Sequence, residues 1–272
     1  MARFRIDPGL ASAVTFTDVG LTMLRARRRK GQGTRHRLRR LAGESSTEQV
    51  RLLDGLSLTI EPGQSVAILS DGGAGCVEVL RLAAGTLIPD TGTIRRREAV
   101  VPMLDESRCL DATYTVRQNI YVVGALLAMS PDVVAARLKW ITDMAGANGV
   151  LDSYLRDTPK VLRQRLVWAT TLATQAGIFA IEEAVVVGKD DVPERCWEHM
   201  DSLRAAGTTF IVTSGDAEIL TRFCDRAIVL RDGRVAADTS VEKALTMVRL
   251  HHKRHVRLEA PADDEDDANP VV

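Results

Sequence analysis

The run Ser65-Val66-Ala67-Ile68-Leu69 feeds directly into a glycine-rich stretch, Ser70-Asp71-Gly72-Gly73-Ala74-Gly75, and the chain leaves it through Val77 to Ala84, whose apolar residues recur at helical spacing until Gly85. A short β-branched run predicts a buried strand, three glycines within four positions predict a tight backbone turn, and a terminal glycine predicts a helix stop. Strand, glycine loop and helix in that order demand a layered α/β structure, because the helix must return across the sheet that the strand has just left. Similar buried-strand runs at Gly177 to Ile181 and Thr208 to Thr213 alternate with helical segments. This alternation predicts a mainly parallel sheet with its binding crevice at the carboxyl ends of the strands.

Elsewhere the chain supplies the other layers. Ala13 to Gly20 and Leu52 to Ile60 read as strands, as does Thr93 to Arg95, while Arg226 to Leu230 and Arg234 to Ala237 read as a hairpin closed by Arg231-Asp232-Gly233. Between Val116 and Ala173 the apolar spacing is helical, most clearly over Ile120 to Met129 and Val133 to Met144. Residues 25–50 form a basic insertion with almost no apolar content, expected to be a loop; a basic helix is expected over Val241 to Arg257, and a Pro- and Asp-rich tail, 258–272, is expected to be disordered.

The glycine stretch aligns with the phosphate-cradling pattern G-x-x-x-x-G-K-[ST], in which backbone N–H groups hold phosphates, Lys reaches the β- and γ-phosphates and the hydroxyl binds Mg²⁺. Gly72, Gly73 and Gly75 keep the cradle. Ser70 stands at the first glycine, and Cys76 and Val77 replace the lysine and the hydroxyl residue. Losing the lysine removes a charge-assisted contact worth about 1.5–3 kcal/mol, or roughly ten- to a hundredfold in affinity. Glu78, in the first helical turn, adds a like charge beside the phosphates. Asp71, Gly72, Gly73, Ala74, Gly75, Cys76, Val77 and Glu78 are therefore the candidate nucleotide site, ATP being held weakly or as a vestige. Cys76 has two readings: an inert buried thiol, or one activated by the helix N-terminus.

Composition narrows the function classes. The 272 residues are 45% hydrophobic and 26% charged with zero formal net charge, so no global field draws the chain to nucleic acid or lipid. The longest apolar stretch, Tyr121 to Met129, is about half the length needed to cross a bilayer. The charged, Pro-interrupted N-terminus lacks the apolar core of a secretion signal, which predicts a cytoplasmic location. Four scattered cysteines, Cys76, Cys109, Cys196 and Cys224, have neither disulfide-framework nor zinc-ligand spacing.

Taken together, the segments resemble the nucleotide-binding subunit of ATP-binding cassette (ABC) transporters, and within it the ATPases of polysaccharide and teichoic-acid exporters. The likeness spans about Val14 to Met247. It rests on Leu53-Asp54-Gly55-Leu56-Ser57-Leu58-Thr59-Ile60-Glu61-Pro62-Gly63 before the loop and on Ala84-Gly85-Thr86-Leu87-Ile88-Pro89-Asp90-Thr91-Gly92-Thr93-Ile94 after it. Thr115 to Ile120, Arg163-Gln164-Arg165-Leu166 and Cys224 to Val235 carry it further. The resemblance implies a RecA-like P-loop NTPase fold over 1–257: a mainly parallel α/β sheet core, an antiparallel β subdomain and an inserted helical subdomain at about 112–173. It also implies an integral-membrane permease subunit as partner, pairing as a homodimer or with another ABC subunit, and a peripheral position on the cytoplasmic face of the plasma membrane. No nucleic acid partner is expected.

The departures fall where that family does its chemistry. Thr158-Pro159-Lys160-Val161-Leu162 stands where the signature should present serine and glycine amides, Gly215 stands at the switch histidine and Lys189 at the D-loop aspartate, and no glutamine lies near Val101 to Glu106. Glu182 replaces the Mg²⁺-organising Asp, and Glu183 occupies the place of the water-polarising carboxylate. The leading expectation is a degenerate exporter subunit with an assembly or regulatory role and weak or no hydrolysis. The alternatives are a divergent but active ATPase using Glu183, with Mg²⁺ on Glu182, and a soluble binding module using the basic insertion.

Overall fold

In the computed structural model the described residues are 4–26, 47–71, 74–103, 109–182 and 191–248. Strands β1 (Phe4–Ile6), β2 (Val14–Ala26), β3 (Thr47–Ile60) and β4 (Ser65–Ser70) precede helix α1 (Cys76–Ala84), which is followed by β5 (Thr91–Arg96) and β6 (Val100–Pro102). Three helices come next, α2 (Val116–Leu126), α3 (Pro131–Ala145) and α4 (Val161–Leu172). Then β7 (Ile178–Glu182), α5 (Val192–Ala205), β8 (Thr209–Thr213), α6 (Ala217–Phe223), β9 (Arg226–Arg231), β10 (Arg234–Thr239) and α7 (Val241–Met247) complete the chain.

The strands form two sheets. The larger has the order β10-β9-β4-β8-β7-β6 and is parallel throughout except for the β9–β10 hairpin. The smaller, β1-β5-β2-β3, is antiparallel apart from the β1–β5 edge. Both faces of the larger sheet are covered, which is why its strands read as continuous apolar runs. Along β4, Val66 and Ile68 point into a cluster with α1 and the smaller sheet, including Phe16, Leu53 and Ile94. Ala67 and Leu69 point the other way, against Trp168 and Leu172 of α4, Cys196 and Met200 of α5 and Phe223 of α6. The helix after the glycine loop is thus clamped between two sheets. Burial of Val79 and Leu82, at about 1.5–3 kcal/mol for each fully buried aliphatic side chain, more than offsets the side-chain cap that Gly75 does not provide, worth about 1 kcal/mol.

Helices α2, α3 and α4 share a third cluster built on Ile120, Ile141, Leu155 and Leu166. Its first helix starts on a complete capping box, Thr115 with Gln118. Asn119, fully buried, ties down the preceding loop: its side-chain oxygen accepts from the Asp111 N–H at 2.8 Å, and its amide donates to the Asp111 and Thr115 carbonyls at 2.9 and 3.0 Å.

Several element limits differ from the sequence reading. The strand expected from Leu52 begins at Thr47, and its partner runs to Ala26, because the two continue to pair down to Ala26↔Thr47. The ends of the 25–50 insertion are therefore strand, and ladder hydrogen bonds need no apolar side chains. The helix expected over Val241 to Arg257 ends at Met247, where Val248 turns extended (φ −121°, ψ 144°). The tail 258–272 lies outside the described residues. The short strands β1 and β6, three residues each, offered too few positions for a periodicity to register.

Candidate functional site

The glycine loop connects β4 to α1. Gly75 adopts a left-handed backbone (φ 85°), and a Cβ there would lie 3.2 Å from the Leu52 carbonyl oxygen and 3.3 Å from Leu53 Cδ2, so both conformation and space favour glycine. At the far end Gly85, also left-handed, closes α1, its N–H meeting the Leu82 carbonyl at 3.2 Å while Thr86 N–H meets that of Arg81 at 3.0 Å. These local choices aim the N-terminus of α1 at the carboxyl end of the larger sheet, where a helix dipole favours an anion.

The side chains do not complete that chemistry. Ser70, buried, donates its hydroxyl to the Ala74 carbonyl at 2.8 Å and so closes the loop on itself. Cys76 is 1% exposed, and its Sγ lies 3.3 Å from Ser70 Oγ. Burial pushes the Cys76 thiol up to about 11, against the opposing hydrogen bonds of Ser70 and Thr213 and with a further upward push from Glu78. The activated-thiol reading is thereby overturned: desolvation outweighs the helix end, and at neutral pH the group is neutral and inert. Val77 is half-buried and lines a cavity of about 370 Å³ together with Leu80, Arg81, Met103, Leu126 and Glu182. Asp71 and Ala74 are exposed, and Glu78 is half-buried. Gly72, Gly73 and Glu183 lie outside the described residues, as do the Val101 to Glu106 segment beyond Met103 and Lys189.

The structure thus brings Val77 and Glu182, 105 positions apart in sequence, to one cavity. It adds Arg81, one turn beyond Val77 on α1, and Leu126 from the end of α2, neither of which the sequence reading singled out. The i+4 spacing of Arg81 from Val77 was the one available signal. A hard divalent cation takes several oxygen ligands. Here one wall offers a valine where a hydroxyl is needed, Glu182 is the cavity's carboxylate, and no group of three or more His, Cys, Asp or Glu suited to a metal occurs among the described residues. The described donors do not fit Mg²⁺, and no hydrolytic step follows from them.

The segment aligned with the signature opens α4. Lys160 caps α4 from a helical backbone (φ −55°, ψ −34°) without a side-chain cap bond. The Leu162 N–H is taken by the Pro159 carbonyl at 2.9 Å and the Arg163 N–H by the Lys160 carbonyl at 3.2 Å, while Pro159 has no N–H. Ser214 is buried, its Oγ accepting from the Asp216 N–H at 3.1 Å, and Gly215 beside it brings no imidazole.

A glycine loop between the first strand of a mainly parallel sheet and a helix clamped against an antiparallel sheet defines the cassette form of the P-loop NTPase fold. Residues 53–186 match the ABC transporter family model. The chain is 30% identical over 183 residues to ABC transporter protein AbcA of Aeromonas salmonicida, covering 67% of this chain and 59% of that protein. It is 29% identical over 201 residues to Nod factor export ATP-binding protein I of Burkholderia lata, covering 69% and 65%. The chain therefore spans about three fifths to two thirds of the length of these relatives. Among solved structures it resembles an ATP-binding subunit of an ABC transporter (TM-score 0.64, 16% identity, 85% of this chain and 91% of that one). It also resembles a dimeric ATP-binding cassette in a post-hydrolysis state bound to ADP and Pi (TM-score 0.63, 18% identity, 84% and 98%). Residues 53–186 thus carry the similarity to ABC transporters, and the fold is that of the ABC ATPase cassettes.

Proposed function

We propose that this chain is the ATP-binding subunit of an exporter complex and that it acts in assembly or regulation, with weak or no hydrolysis of its own. The observation that carries the reading is the start of α1. There the left-handed Gly75 leads into a full helix, but a buried neutral thiol and a valine stand where a cation and a metal-binding hydroxyl would act. Similarity to the Nod factor export ATP-binding proteins supports an export role, and a cell-envelope glycan is the proposed cargo class. The cluster of α2, α3 and α4 is proposed as the helical subdomain. The partners are an integral-membrane permease and a second ABC subunit, the α1 N-terminus of one subunit facing the α4 N-terminus of the other, on the cytoplasmic face of the membrane.

Affinity purification of the full chain from native membranes should recover a multispanning permease. Steady-state assays of that complex and of the isolated chain should separate its own turnover from a partner's, with the isolated chain far slower than an ordinary transport ATPase. Rapid Mg-ATP turnover by the isolated chain, abolished by Glu183→Ala, would replace this reading with that of a divergent active ATPase.

A further inference from the structure

The glycine loop is fastened from within by its own side chains. Ser70, the last residue of β4, and Cys76, the first of α1, stand at the two ends of the loop, and both are buried. The Cys76 thiol donates to Ser70 Oγ at 3.3 Å, and the Ser70 hydroxyl donates in turn to the Ala74 carbonyl at 2.8 Å. Thr213, at the carboxyl end of β8, adds a further hydrogen bond to Cys76 Sγ. One run of hydrogen bonds therefore ties the ends of β4 and β8 to the start of α1 and to the carbonyl that precedes Gly75. Ser70 both accepts and donates in it, so its buried hydroxyl is satisfied on both sides.

A loop whose backbone N–H groups converge on one point is held together by the anion it binds, because without the anion those dipoles repel one another. The run through Ser70 acts on the same loop without using its N–H groups. Its acceptors are a sulfur, a hydroxyl and a carbonyl. Glycine and lysine at positions 70 and 76 could not form it, since glycine has no hydroxyl and an ammonium cannot accept a hydrogen bond. Burial between the two sheets keeps water from competing for these bonds, which strengthens them.

We propose that Ser70 and Cys76 form a latch that holds the ends of the loop and the first turn of α1 in one conformation whether or not an anion is bound. The two residues take over the ordering role of the ligand, and this end of the chain becomes constant in shape. Ser70 is the positioning residue, since both links within the loop pass through its hydroxyl. The inference deepens the functional reading above and rests on it: a subunit that serves assembly or regulation keeps a surface that does not change with nucleotide.

Amide hydrogen exchange of the full chain, purified free of nucleotide, tests this. The reporter is the Val79 N–H, bonded to the Gly75 carbonyl at 3.0 Å, and α3 is the internal reference. In the wild type the first turn of α1 should be as protected without ligand as with inorganic pyrophosphate. Ser70→Ala should speed exchange there at least about tenfold while α3 stays unchanged, since two buried hydrogen bonds are lost together. Pyrophosphate should then slow it again, because the anion recovers its ordering role. Cys76→Ser keeps a donor and an acceptor in place and should stay within about threefold of wild type, whereas Cys76→Ala, which removes one link, should fall between wild type and Ser70→Ala. A wild type protected only with pyrophosphate, a Ser70→Ala variant with unchanged exchange, or one that pyrophosphate does not protect would each overturn the latch. Protection lost equally in α3 would mark Ser70 as a general packing residue and would overturn it too. Turnover enters nowhere in these measurements, so rapid Mg-ATP hydrolysis would sink the functional reading and leave the latch standing, and an unlatched loop in a chain without turnover would do the reverse.

Discussion

Returning a lysine to position 76 measures how much of the phosphate cradle the fold has kept. In the wild type that position holds a thiol that burial pushes up to about 11, so it is neutral at pH 7 and brings no positive charge to an anion. A Cys76→Lys ammonium that reaches bound phosphates adds a charge-assisted hydrogen bond of about 1.5–3 kcal/mol, or roughly ten- to a hundredfold in Mg-ATP affinity. Combining it with Glu78→Thr removes a like charge from the first turn of α1 and adds about 1–3 kcal/mol more at a separation of ~6 Å, depending on the effective dielectric. Calorimetric titration with Mg-ATP reads the gain. Cys76→Met, long but uncharged, separates charge from bulk, and thermal melts report whether the ammonium has been trapped in the core that now surrounds Cys76. Hydrolysis should not return, because Val77 still lines the cavity with Glu182 where a metal-binding hydroxyl is needed. If Cys76→Lys folds normally yet binds no more tightly than Cys76→Met, the loop no longer forms an anion nest and the argument from its backbone is wrong.

The buried thiols set a pH dependence: Cys76 and Cys196 are raised from 9.0 to about 11 and Cys224 to about 12, in each case chiefly by desolvation. Between pH 9 and about 11 the unfolded chain releases protons that the folded chain keeps, so stability should fall as pH rises through that window, with a shallower fall in Cys76→Ala, read from urea midpoints. Two glycine substitutions should differ in cost. Gly92→Ala places a Cβ 2.2 Å from the Asp18 carbonyl oxygen at φ 77°, and backbone there cannot yield, so a loss of at least about 3 kcal/mol is expected. Gly149→Ala, at φ 81° with nothing within 4 Å, should cost only the left-handed backbone, about 1 kcal/mol, and equal losses in chemical denaturation would refute the distinction.

Much of this protein was legible one segment at a time. The β4-loop-α1 unit, the closing hairpin and the helical middle of the chain follow from spacing and glycine placement, and the identities of Cys76 and Val77 are read directly. Local sequence specifies such features because backbone propensity and side-chain period act over a few residues. Tertiary structure alone decided the state of Cys76, whose solvation depends on the two sheets that enclose α1 and on Ser70 and Thr213, six and 137 positions away. It also decided that Val77, Glu182 and Leu126 share one cavity, and that the strands flanking the basic stretch continue to Ala26 and Thr47, where ladder pairing outweighs a charged composition. Solvation, pair distances and strand register are properties of what the chain folds against, and no window of sequence contains them.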